Sequence, residues 1–200
     1  TARGRGAIGA GAKVPQVVER LATTDSSILD LGAGRDAQHA ERLRASGFNN
    51  VDALDLPANM KAHPDRFNPD AAGVPHDIVY SSNVINTIST PDALRTFIQN
   101  SVIPAMDPDG KFIANYPTDP RHLKLDGVKL GNGDVEAILK EFFGTVEKAN
   151  TKELGIGAYK DPLWIASDPL VYAGLKAAHD GTEMGLSRAR RRQPDGGYRR

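Results

Sequence analysis

Ser26-Ser27-Ile28-Leu29-Asp30-Leu31-Gly32-Ala33-Gly34-Arg35-Asp36 reads SSILDLGAGRD, an apolar run that ends on an acid and is followed at once by two glycines. Ser27 to Leu31 is predicted to be a strand. Gly32 and Gly34 allow a sharp turn and the close approach of a ligand to the backbone. Arg35 to Ser46 reads as a helix stopped by Gly47, and its free N–H groups and positive end would face an anion.

Outward from this stretch, strands and helices alternate. A short helix is expected from Pro15 to Ala22, with Val17, Val18 and Leu21 on one side. Val51 to Leu56 (VDALDL) and Asp77 to Ser82 (DIVYSS) read as strands, and residues 57–75 between them, with four prolines, as irregular chain. Thr90-Pro91-Asp92 opens a helix with an N-cap hydroxyl, proline at the first position and an acid in the first turn. Asp107-Pro108-Asp109-Gly110 is a turn into the strand Lys111 to Tyr116. A helix from Gly133 to Phe143, strands at 144–152 and 162–167, and a last helix from Pro169 to His179 complete the reading. The alternation predicts an α/β fold with a doubly wound, mostly parallel sheet. No long helix separates the last two strands, so they are expected as an antiparallel pair at the sheet edge.

Composition bounds the function. The chain has 200 residues, enough for one domain with a sizeable core, and no cysteine, which excludes disulfides and thiolate metal sites. His39, His63, His76, His122 and His179 are scattered without metal-ligand spacing, so no metal site is expected. There is no apolar run of membrane-spanning length and no apolar signal core at the N-terminus, which makes a cytoplasmic protein the expectation. The chain begins at Thr1 and reads as processed or cut from something longer. A net charge of zero hides an asymmetry: residues 1–20 carry +3, residues 186–200 carry +5, and the body carries −8. The domain reading is a basic arm and short helix at 1–22, a body at 23–180 and a basic tail at 181–200. Arg188, Arg190, Arg191, Arg192, Arg199 and Arg200 are expected to meet nucleic acid or an acidic protein surface, or else to be a solvated tail.

Two ligand classes suit the glycine turn. Gly32-x-Gly34-x-x-Ala37 fits a dinucleotide pattern, and Asp55 lies 21 residues after Gly34, where a ribose-binding acid belongs. Asp30 weighs the other way. The pyrophosphate of NAD is an anion, whereas S-adenosylmethionine carries a sulfonium and an ammonium that a carboxylate would attract.

Asp30-Leu31-Gly32-Ala33-Gly34-Arg35-Asp36 resembles the first motif of class I S-adenosylmethionine-dependent methyltransferases, D/E-x-G-x-G-x-G, with Asp36 at the place of the third glycine. Asp55-Leu56 resembles the acid that ends the family's second strand and binds the ribose. The segment from Asp77 to Ile85 resembles its fourth-strand motif, and Asp109 to Ile113 its turn into the fifth strand. The resemblance runs from about residue 26 to 167. Val84 to Ile88 also resembles a group of small bacterial and phage methyltransferases. A Rossmann-like sheet is implied, with S-adenosylmethionine as cofactor and Asp30, Gly32, Ala33, Gly34, Asp55, Leu56, Ser81, Ser82 and Asn83 as the residues that bind it. The family's adenine-binding acid has no clean match in residues 64–75, where Asp70 is the nearest, so the third strand is expected to be degenerate or very short.

Methyl transfer from a sulfonium is an in-line displacement, in which the protein chiefly positions the partners and excludes water. Acceptor-side roles are open to Ser81, Ser82, Asn83, Tyr116 and His122; each equally reads as a structural strand-end residue. His76 precedes its strand and is expected at the opposite end of the sheet. His39 is expected at a packing or surface position, and Trp164 in the core. The Asn-Pro-Pro-Tyr motif of amino-methylating DNA enzymes is absent, because the strand reads SSNV. Against the methyltransferase expectation stand two others: a methyltransferase-fold binding or structural module in a larger assembly, and an NAD-dependent oxidoreductase. The acceptor is not readable.

Overall fold

Ile28, Leu29, Asp30 and Leu31 are all buried, the pattern of a central parallel strand covered on both faces. They form β1 (Ile28–Leu31) in the computed structural model, which describes residues 13–116 and 130–172. Parallel neighbours flank β1. These are β2 (Val51–Leu54), with Asp30 opposite Ala53, and β3 (His76–Ser81), with Asp30 opposite Tyr80. β4 (Met106–Asn115) runs parallel to β3, β6 (Leu163–Pro169) antiparallel to β4, and β5 (Phe143–Lys148) antiparallel to β6. The strand order β2-β1-β3-β4-β6-β5 bears out the doubly wound sheet with its C-terminal antiparallel pair.

Alternation along the strands supplies two cores. One face carries Ile28, Ile78, Tyr80 and Ile113 beneath α1 (Lys13–Leu21) and α2 (Gln38–Ala45). Val14, Val17 and Val18 of α1, at helical spacing, are fully buried there. The opposite face carries Leu29, Leu31, Val79 and Phe112 beneath the helix that starts with α4 (Pro91–Phe97) and beneath α5 (Asn132–Phe142). Thr90 caps α4 as expected, its Oγ1 accepting from Ala93 N at 3.2 Å. Trp164 is buried in this second core.

Some elements differ from the sequence reading. α2 begins at Gln38 rather than Arg35, because Gly34 and Ala37 both take positive φ (73° and 44°) and keep Arg35 and Asp36 in a turn. The segment 57–75 is irregular as expected, and no third strand follows β2. A one-turn helix α3 (Pro57–Met60) and two 3-10 turns, Pro64–Arg66 and Pro69–Gly73, stand there instead. The outer edge of β2 is satisfied from two segments: Arg44 of α2, whose Nη2 donates to Val51 O at 2.7 Å, and Asn68 before the second turn, whose N donates to Ala53 O at 3.0 Å. The expected turn at 107–110 is an excursion within β4: Met106 stands opposite His76 and Lys111 opposite Ile78. After β6 comes only the 3-10 turn Leu170–Tyr172; the rest of the predicted last helix lies outside the described residues, as do the arm at 1–12 and the arginine-rich tail.

Candidate ligand site at the carboxyl ends of the strands

The chain leaves β1 for β2 on one side and returns to β3 on the other, so the strand order reverses at β1. In open α/β sheets ligands bind beyond the carboxyl ends of the strands at such a point. Gly32, at φ 87°, ends β1 there. Its N–H and that of Ala33 both donate to Leu54 O, at 2.8 and 3.2 Å, which ties the turn to the tip of β2. A Cβ on Gly32 would lie 2.4 Å from Val84 Cγ2. Two constraints therefore demand glycine, one from the backbone angle and one from the segment after β3 that presses on the turn.

Asp55 clamps the turn from the β2 side. Its Oδ2 accepts from Gly34 N at 2.6 Å, and its Oδ1 from Leu56 N and Asn59 Nδ2, each at 2.6 Å. A carboxylate has about four acceptor sites, so one remains for a ligand. Leu56, next in sequence, is 62% exposed, an apolar side chain held in water beside the turn. Asp70, the nearest sequence match to an adenine-binding acid, is exposed on the Pro69–Gly73 turn.

Asp30 is 1% exposed, under α1 and α2, and neither carboxylate oxygen has a hydrogen-bond partner. The hydroxyl of Tyr80, its register partner, is also orphaned. Burial pushes the Asp30 carboxyl up to about 7, although the nearby Tyr80 hydroxyl draws it down, and the charge of Asp55 raises it further. Burial likewise raises Tyr80, reinforced by Asp30.

Ser81 is buried, and its Oγ donates to Leu31 O at 2.8 Å, locking the tip of β3 to the last residue before the glycine turn. Ser82 follows, half-buried. Asn83 sits at φ 58° in a reciprocal amide bridge with buried Asn115 at the end of β4. Asn83 N donates to Asn115 Oδ1 and Asn115 Nδ2 to Asn83 Oδ1, both at 2.8 Å. Asn115 Nδ2 also donates to the Tyr159 hydroxyl at 3.0 Å. Neither Asn115 nor Tyr159 was singled out from the sequence. Tyr159 lies in the loop between β5 and β6, which carries no periodicity to mark it.

Other expected residues fall elsewhere. Tyr116 is buried, and its hydroxyl donates to the Leu130 carbonyl. His122 lies outside the described residues. His76 is at the opposite end of the sheet, as anticipated, with Nε2 3.2 Å from Asp52 Oδ2 and Nδ1 3.2 Å from Ala105 O. His39 is half-buried on α2, and burial with the nearby Arg42 lowers its pKa. The chain does hold a Tyr-x-x-x-Lys spacing of the kind oxidoreductases use, from Tyr172 to Lys176. Tyr172 follows the end of antiparallel β6, hence at the amino ends of the parallel strands, away from the glycine turn. Among the described residues no cluster of side chains could hold a metal ion, and no helix is long and apolar enough to cross a membrane.

No family model matches the sequence, and no curated protein matches it. Solved structures do match the fold. A sugar N-methyltransferase, KedS8 from a Streptoalloteichus species, superposes with TM-score 0.56 at 16% identity, over 84% of this chain and 90% of that one. A SAM-dependent methyltransferase from Archaeoglobus fulgidus gives 0.54 at 14%, over 78% and 91%. One from Bacteroides fragilis, in complex with S-adenosyl-L-homocysteine, gives 0.52 at 16%, over 78% and 77%. The chain has the Rossmann-like fold of class I S-adenosylmethionine-dependent methyltransferases.

Proposed function

We propose that this chain is a methyltransferase that takes its methyl group from S-adenosylmethionine. The observation that carries the reading is the buried Asp30 carboxylate, without a hydrogen-bond partner, two residues before a positive-φ glycine at the strand-order switch. A buried carboxyl group that burial holds protonated up to a pH of about 7 is helped to ionise by a neighbouring cation and hindered by an anion, so the site favours a cationic ligand. S-adenosylmethionine, with two positive groups, fits that field; the pyrophosphate of NAD does not.

The residues divide the work as follows. Gly32, Ala33 and Gly34 form the floor against which the ligand lies. Asp55 holds that floor and offers its remaining acceptor site to a ribose hydroxyl. Leu56 gives an apolar face to the adenine ring. Ser81, Ser82 and Asn83 shape the edge nearest the reacting centre. Bound S-adenosylmethionine supplies an already activated methyl group. The chain must then orient an acceptor and exclude water, and a base is needed only for an acceptor proton of high pKa. The arginines of residues 186–200 favour contact with a polyanion or an acidic surface outside this crevice.

Calorimetry with S-adenosylmethionine, S-adenosylhomocysteine and NAD, run side by side, tests the reading. The donor and its product are expected to bind and NAD to give no heat. Binding of NAD alone would sink the proposal. Binding of the donor without transfer of its radiolabelled methyl group to any acceptor in a cell extract would favour the non-catalytic module.

A further inference from the structure

The hydrogen bonds around Asn115 fix the direction of one proton. The backbone N–H of Asn83 can only donate, so the Asn115 atom facing it is the oxygen. The Asn115 NH2 group then has its two hydrogens directed at Asn83 Oδ1 and at the Tyr159 hydroxyl. Tyr159 is therefore an acceptor toward Asn115, and its own proton points away from the bridge. Among the described residues no hydrogen bond donated by that hydroxyl is formed. Burial raises the Tyr159 pKa, with the Asn115 bond opposing and Asp161 adding to it, so the proton stays on the oxygen at neutral pH.

The loop at 149–162 leads into the amino end of β6, which lies beside the carboxyl end of β4, and there Tyr116 N donates to Pro162 O at 3.0 Å. Lys13 at the start of α1 ties the loop down by donating to the Ile156 carbonyl. Tyr159 is half-buried there. The sheet order places the glycine turn and Asp55 on the β1–β2 side and Asn83, Asn115 and Tyr159 on the β3–β4–β6 side. A donor cradled on the first side leaves the second for the methyl acceptor.

We propose that Tyr159 binds the methyl acceptor by donating a hydrogen bond to an oxygen close to the atom that is methylated, with Asn115 as the positioning residue that sets the direction of that bond. The acceptor class is then a nucleophile with a neighbouring hydroxyl, carbonyl or carboxylate oxygen. The inference rests on the methyltransferase reading of the site.

The test uses saturation-transfer NMR on the full chain loaded with S-adenosylhomocysteine. The probes are ethanolamine, D-glucosamine and catechol, each beside a counterpart without the neighbouring oxygen: ethylamine, cyclohexylamine and phenol. At least one oxygen-bearing probe is expected to bind and to weaken about five-fold or more in Tyr159→Phe, while its counterpart does not change. Asn115→Asp should reproduce the loss, because a carboxylate there accepts the Tyr159 proton and consumes it. A merely structural wall would be untouched by that reversal or would show an equal fall in melting temperature. Unchanged probe binding in Tyr159→Phe, or no binding by any oxygen-bearing probe, overturns the inference. Failure of the wild-type chain to bind S-adenosylhomocysteine instead overturns the methyltransferase reading on which it rests.

Discussion

The two ends of the parallel strands treat polar groups in opposite ways. At the amino end they close on one another. Both ring nitrogens of His76 have partners at 3.2 Å. Asp77 Oδ2 accepts from Ser27 N and Oγ at 2.8 and 3.0 Å, while Ser27 Oγ accepts from Asp77 N at 2.9 Å. At the carboxyl end, among the described residues, the chain instead leaves groups open: two orphaned oxygens on Asp30, an undonated proton on Tyr159, and an exposed Leu56. Orphaned buried oxygens cost stability, and Asp30 holds two of them two residues before the glycine turn. A shallow pocket does exist at the amino end, lined in part by Asp25, Asp77, Asp109 and Lys111. Its Asp77 is already engaged with Ser27, so concavity alone does not mark a site.

The comparison breaks most visibly at Gly32. Valine there needs an unfavourable positive φ and meets Val84 at once. Backbone strain and overpacking together predict a loss of about 2–6 kcal/mol, read by urea denaturation. A variant that keeps both its stability and its affinity for S-adenosylhomocysteine would show that the turn is not the ligand's floor.

Asp30 gives the next largest effect, and its sign is specific. The folded chain holds the Asp30 proton up to a pH of about 7, whereas the unfolded chain loses it near the ordinary value of 3.8. Between those values the native state binds more protons, so stability falls as pH rises, by up to roughly 4 kcal/mol across the window. Asp30→Asn should flatten that part of the stability–pH curve. The same curve in saturating S-adenosylmethionine should fall less than with the neutral thioether product, because a cation favours the ionised carboxylate. Identical curves for wild type and variant would show that Asp30 is not the group that titrates.

Asp55→Ala removes the clamp on Gly34 N and leaves the Leu56 N–H and the Asn59 amide without their acceptor. Water reaches part of this site, so the expected loss is about 1–3 kcal/mol in stability, with weaker ligand binding. If stability falls and affinity does not, Asp55 braces the turn without touching the ligand.

What was legible in the sequence follows from how each feature is encoded. β1 and β3 are built on short apolar runs, Ile28-Leu29 and Ile78-Val79-Tyr80, and the helix at Thr90 carries its own cap, so local signals suffice. The start of α2 was misread because a left-handed alanine, Ala37, delays the helix, and nothing local marks an alanine for that conformation. The edge of β2 is satisfied by Arg44 and Asn68, from separate segments, so its protection has no periodicity to read. The glycine turn and Asp55 were visible as a spaced motif. Asn115 and Tyr159 were not, because their bond joins residues 44 apart in sequence across an irregular loop.

The smallest effect belongs to the closed end. Asp77 is exposed and exchanges hydrogen bonds with Ser27, the residue before β1. Asp77→Ala leaves the Ser27 N–H and hydroxyl to water, which reaches them freely. The expected cost is about 0.5–1.5 kcal/mol, because the exchange of a protein partner for water is nearly balanced at an exposed position. Ligand affinity should not change, since the strands separate this pair from the glycine turn. Parallel denaturation and calorimetry on this variant and on Asp55→Ala provide the check. Equal losses of S-adenosylhomocysteine affinity in both would mean that the ends are coupled through β1, and that the contrast between them describes stability rather than binding.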